Sequence, residues 1–203
     1  MLTRLTVAAL ACLCALSPLQ AQTDTTKAAP ELASDERTAA LNAVLDRYVG
    51  RWVGKFEIRS MARVLQSIEV EQQYWWDEVD GIHVLKGQAV MAAHGELSTS
   101  LSRTYIQSGR IYSETDQEGR EHFFVAKLSD DGNTLSWLPA DDANPLGRKL
   151  TDTFVETPEG TMLVIESYEE IPIDNAGNRA MLTMRGELKR VGDASPLQMP
   201  TPN

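Results

Sequence analysis

Gly50-Arg51-Trp52-Val53-Gly54-Lys55-Phe56-Glu57-Ile58-Arg59 decides the fold of this chain. Its even positions are apolar or glycine, and its odd positions after Val53 are Lys55, Glu57 and Arg59. Side chains on a strand point alternately to opposite faces, so this is a strand with one buried and one wet face. The next stretch continues the pattern. Ile68, Val70, Gln72, Tyr74 and Trp76 share one face, with Glu69, Glu71, Gln73 and Trp75 on the other. Eight more stretches read as strands: Ile82–Ala92, Ser98–Gln107, Arg110–Glu114, Glu121–Leu128, Thr134–Leu138, Leu150–Glu156, Thr161–Glu169 and Arg179–Val191. The signals add up to about ten strands with no second strong helix between them.

Glycine separates these stretches, in Asp80-Gly81, His94-Gly95, Ser108-Gly109, Glu118-Gly119, Asp131-Gly132, Glu159-Gly160 and Ala176-Gly177. An X-Gly pair between two alternating runs is a hairpin signal, and hairpins join antiparallel neighbours. The fold class is therefore all-β, an antiparallel meander preceded by one short helix. A flat meander of this length would leave two long exposed edges, so closure into a barrel is expected. A two-sheet sandwich is the alternative that the same strand lengths permit.

On the N-terminal side, Ser34 is a good helix N-cap, and Asp35 and Glu36 suit the positive end of the dipole. Leu41, Val44, Leu45 and Tyr48 form one apolar stripe, and Gly50 ends the helix. Earlier still, Arg4 precedes an uncharged apolar run, Leu5 to Leu16, and Ser17-Pro18-Leu19-Gln20-Ala21 follows. This is the layout of a secretory signal cleaved after Ala21. It makes the protein exported, periplasmic or extracellular, with lipid anchoring at Cys12 as a variant. Both cysteines, Cys12 and Cys14, lie in this segment, so the rest of the chain has neither disulfide nor thiolate chemistry. The expected organisation is residues 1–21 as signal, 22–33 as flexible linker, 34–191 as helix plus barrel and 192–203 as a disordered tail.

The 203-residue chain carries a net charge of −10, and cleavage after Ala21 would remove Arg4 and no acid. Such a surface repels nucleic acid and anionic membranes, so no nucleic-acid partner is expected. After residue 21 no stretch is long and apolar enough to span a bilayer as a helix.

Gly50-Arg51-Trp52, after a short helix and opening the first strand, resembles the G-x-W signature of calycins, the lipocalin and fatty-acid-binding-protein group. The closer likeness is to secreted bacterial domains of unknown function with a Gly-x-Trp start and a Trp-rich second strand. The resemblance implies that Trp52 closes one end of the barrel. It also implies that a basic residue of the last strand packs across the indole, Arg190 being the best match and Arg185 the second. There is no Thr-Asp-Tyr motif in mid-chain, which departs from true lipocalins.

A barrel of this size holds either packed side chains or one small ligand. Alternation places Phe56, Ile58, Tyr74, Trp76, Tyr105, Phe124, Val164 and Tyr168 inside, together with the polar Gln72, Arg103, Asp152 and Glu166. The candidate ligand-binding set is Arg103, Gln72, Tyr74, Trp76, Tyr105, Phe124 and Tyr168, with Arg103 and Gln72 fixing a polar head such as a carboxylate. The alternative is that Arg103 pairs with Glu166 or Asp152, or that a strand's phase flips at a bulge. His83, His94 and His122 fall at no metal-ligand spacing. His122 alone offers an axial haem ligand, and no metal or cofactor is expected. No Gly-x-Ser-x-Gly or other catalytic motif occurs. The reading is a secreted barrel for a small apolar or amphipathic molecule. A filled envelope-associated interaction barrel is the alternative, and an enzyme comes third.

Overall fold

The computed structural model describes residues 34–60, 63–140, 148–172 and 179–195. All of them belong to one compact unit, Leu32–Asn203. The expected signal and linker, the Ala176-Gly177 turn and most of the 140–145 loop lie outside the described residues.

One helix, α1 (Ser34–Asp46), precedes ten strands: β1 (Gly50–Ser60), β2 (Arg63–Val79), β3 (Ile82–Ala93), β4 (Glu96–Gln107), β5 (Arg110–Gln117), β6 (Arg120–Leu128), β7 (Thr134–Pro139), β8 (Arg148–Thr157), β9 (Gly160–Pro172) and β10 (Arg179–Gly192). Each strand pairs antiparallel with the next, and β10 returns to pair with β1, so the sheet closes into a barrel. The sandwich alternative is thereby excluded. The turns are those the glycines indicated. Asp80 and Gly81 both take positive φ, 53° and 75°, the geometry whose twist matches the flanking strands. The same pairing of positive φ recurs at His94-Gly95, Ser108-Gly109 and Glu118-Gly119.

The chain enters the barrel through a tightened turn. Helix α1 stops at Asp46, short of Gly50, and the amides of Arg47, Tyr48 and Val49 bond back to the carbonyls of Val44, Leu45 and Asp46. These short-range bonds drop Tyr48 into the barrel beside Leu45, both almost fully buried. Trp52 follows at 0% exposure, its indole N–H bonding the Tyr48 carbonyl at 2.6 Å. Phe154 packs edge-on against Tyr48 and tilted against Trp52, with ring centroids 4.8 and 6.2 Å apart. Leu135, Trp137, Leu163 and Leu188 complete this plug, which fills the end of the barrel nearest α1. Fully burying side chains of this size stabilises by about 1.5–3 kcal/mol each, so the plug is the main source of cohesion.

Arg190 stands directly across from Trp52 in the β1–β10 register. Its guanidinium lies over Gly50, where a Cβ would come within 2.6 Å of Nε. Further along the same ladder, Phe56 lies flat over Gly186, where a Cβ would come within 2.2 Å of the ring. The outer face carries cross-strand ion pairs, among them Arg51–Glu71, Lys55–Glu69 and Lys86–Asp77. Beyond β10, the Ser195 amide donates to Gln73 Oε1 at 2.7 Å, so the chain after the last strand is tied to the outer face of β2.

Candidate functional site

The pairing register fixes which residues share the interior. On β1 and β2 the inward set is that expected from alternation: Trp52, Phe56 and Ile58, then Ile68, Val70, Gln72, Tyr74 and Trp76. Following the register across β3 brings Leu85, Gly87, Ala89 and Met91 inward. It then brings in Ser98, Ser100, Ser102 and Thr104 of β4, and Ser113, Thr115 and Gln117 of β5. The interior is therefore two-sided. One wall, on β1, β2 and β8–β10, is apolar and bulky; the other, from Gly87 and Ala89 of β3 through Ser98–Thr104 and Ser113–Gln117, is small and rich in hydroxyls.

Arg103 and Tyr105 thus face outward, against expectation, as does Leu101. Arg103 is more than half exposed and pairs with Glu114 on the outer surface. On β9 the phase is also reversed. Leu163, Ile165 and Ser167 point inward, while Val164, Glu166 and Tyr168 point outward, and Glu166 pairs with Arg185. Arg103 therefore pairs neither with Glu166 nor with Asp152. On β4 the difference has a clear physical source. Alternation alone cannot say which face is the core where the interior is lined by small polar residues, and the larger residues were assigned to it.

The expected ligand set consequently splits. Gln72, Tyr74 and Trp76 lie inside, toward α1. The Tyr74 hydroxyl donates to Gln72 Oε1 at 3.1 Å, and the Trp76 indole N–H donates to Asp46 Oδ1 at 2.7 Å. Trp76 also stacks on His83 with centroids 4.2 Å apart. Phe124 also faces inward, opposite Ser113. It borders, together with the outward Tyr105, Tyr112, Glu114 and Phe123, a cleft of about 300 Å³ on the β4–β6 side. Tyr105 stacks on Tyr112 there and donates its hydroxyl to Glu114 at 3.0 Å. Tyr168 joins neither group.

Asp152 is the residue that sequence reasoning placed inside but did not count in the site. It lies on the inner face of β8 at 9% exposure, opposite Leu135 and Ile165. Its Oδ2 accepts the Tyr48 hydroxyl at 2.8 Å and the Trp137 indole N–H at 2.9 Å. Burial pushes its carboxyl up to about 6, although both hydrogen bonds oppose the shift. Burial, then the neighbouring Asp152, raises the Tyr48 hydroxyl well above the usual range, and the same two causes raise Tyr74. The signal available in the sequence was an acid between the apolar Leu150 and Phe154 on an inward phase. A further buried polar atom, Gln66 Nε2 on β2 opposite Ile58, has no partner.

No family model matches this chain. No curated protein does so either. Among solved structures, the S-type phycobiliprotein lyase of Guillardia theta superposes with a TM-score of 0.45 at 11% identity, over 81% of this chain and 99% of the lyase.

Proposed function

We propose that this protein is an exported, calycin-like carrier or sensor that holds one small amphipathic molecule inside its barrel. One observation carries the reading. Ala89, Met91, Ser98, Ser100, Ser102 and Thr115 face inward yet keep part of their surface accessible, so the barrel is not packed full around them. Eight strands enclose an interior that side chains just fill, and ten enclose more. With Ala89 and three serines on adjacent strands, this wall is too small to close that space. An apolar wall facing a hydroxyl-rich one suits a molecule that is itself two-sided. Export is supported by the layout of residues 1–21, and mass measurement of the protein from its native compartment tests cleavage after Ala21.

Binding is tested with Nile red, a neutral apolar dye, and by organic extraction of the natively produced protein followed by mass spectrometry. The reading expects a saturable blue-shifted signal and a recurrent extracted compound. It also expects both to vanish in Ala89→Phe/Ser100→Phe, which fills the wall from inside. A barrel that yields no compound and takes up no dye would leave the filled, interaction-type reading standing in its place.

A further inference from the structure

We infer that Asp152 receives the polar head of the bound molecule, and that this head is a cationic N–H donor such as a protonated amine rather than a carboxylate. The inference rests on the interior-binding reading and gives the ligand a class and a direction. It begins from the two hydrogen bonds to Asp152, both of which converge on Oδ2. Among the described residues nothing donates to Oδ1. Both donors, Tyr48 and Trp137, belong to the plug. The ring of Tyr74 meets that of Tyr48 edge-on, with centroids 5.3 Å apart.

Among the described residues no cation forms an ion pair with this carboxylate. The described inward positions that surround it, Leu135, Leu150, Phe154, Leu163, Ile165 and Gly186, bear no charge. Of the two cations at this end, Arg190 lies over Gly50, and Arg47 lies over the ring of Phe154, 4.3 Å from its centroid. It is held there by the Gly132 carbonyl, Asn133 Oδ1 and Glu156. Arg103, expected to supply a positive charge to the interior, faces outward and is paired to Glu114. A buried carboxylate without a counter-charge is unfavourable, and it is relieved when the group takes up a proton or a cation. A carboxylate ligand would add a second negative charge beside the first. A protonated amine would supply the missing charge and the missing donor together. Its apolar part would then run away from the plug along Phe56, Val70 and Met184.

Four probes that share one chain discriminate the heads: dodecylamine, dodecyltrimethylammonium, dodecanol and dodecanoate. Each is titrated against the purified full chain by displacement of Nile red, at about pH 8, where carboxyls are ionised. The expected order is dodecylamine tightest, at least about tenfold over dodecanoate, as a charge-assisted hydrogen bond to a buried group predicts. Dodecyltrimethylammonium keeps the charge and lacks the N–H, so it should lose most of the advantage. Asp152→Asn should bring dodecylamine within about threefold of dodecanol. If that variant does not fold, the four-probe order in the unaltered chain decides by itself. Dodecanoate binding as tightly as dodecylamine, or dodecyltrimethylammonium equalling dodecylamine, overturns the assignment while leaving interior binding intact. Failure of Nile red and of all four probes to bind overturns the interior-binding reading itself.

Discussion

The two ends of the inner surface are built on opposite principles. At the α1 end, Leu45, Tyr48, Trp52, Trp137, Phe154, Leu163 and Leu188 interlock with almost no exposed surface. Their polar donors all find partners, the Trp52 indole N–H at the Tyr48 carbonyl and the Tyr48 hydroxyl and Trp137 indole N–H both at Asp152 Oδ2. On the β3–β5 wall the inward Ala89, Ser98, Ser100, Ser102 and Thr115 are small and partly exposed, and the bulky Leu101 of β4 faces solvent. The difference teaches where stability and specificity reside. The plug holds the barrel shut and has no slack, and the opposite wall adds little cohesion and leaves the space.

The sharpest way to break this contrast is Trp52→Ala. Removing the largest fully buried side chain should cost about 3–5 kcal/mol, read as a lowered denaturation midpoint in urea. A cost below about 1 kcal/mol would mean that the plug is not the source of cohesion. Asp152→Asn comes next. The folded carboxyl titrates near 6 against about 3.9 when unfolded, so the folded state holds its proton more tightly. The stability this contributes is present in full below about pH 4 and is lost as pH rises through about 6, up to roughly 3 kcal/mol. In Asp152→Asn that loss disappears, and its stability should gain on the unaltered chain across the same interval. Parallel pH profiles for the two proteins would show that Asp152 is not the buried acid described. The smallest effect belongs to Arg103→Ala. An exposed ion pair is worth about 1 kcal/mol or less, and Nile red uptake should not change at all. A fall in dye binding would return Arg103 to the interior and reverse the phase of β4.

The ten strands were legible because their turns carry their own chemistry. Asp80-Gly81, His94-Gly95, Ser108-Gly109 and Glu118-Gly119 are hairpin pairs wherever they occur, and each sits where a strand ends. The inner face was legible on β1 and β2, where apolar residues alternate with charges. It was misread on β4 and β9 for two different reasons. On β4 the inward side chains are serines and a threonine, and the outward ones are Leu101, Arg103 and Tyr105, so hydrophobicity pointed the wrong way. On β9, Leu163, Val164 and Ile165 are all buried, so three consecutive positions erase the alternation. The candidate site was half visible for the same reason. Gln72, Tyr74 and Asp152 follow from phase alone, whereas the pairing of Asp152 with Tyr48 joins residues far apart in sequence and becomes evident only once the barrel closes.

The pairing of β1 with β10 sets Trp52 opposite Arg190, the beginning of the domain against its end. Contacts this distant in sequence form slowly, because the intervening chain must first be gathered. During synthesis β1 therefore emerges long before the strand that completes it, and no truncated form can close the sheet. Until then its hydrogen-bonding edge stays open, vulnerable to mispairing and in need of a holding partner. The same delay keeps the nascent polypeptide extended enough to be threaded through a narrow pore, which suits the export proposed above.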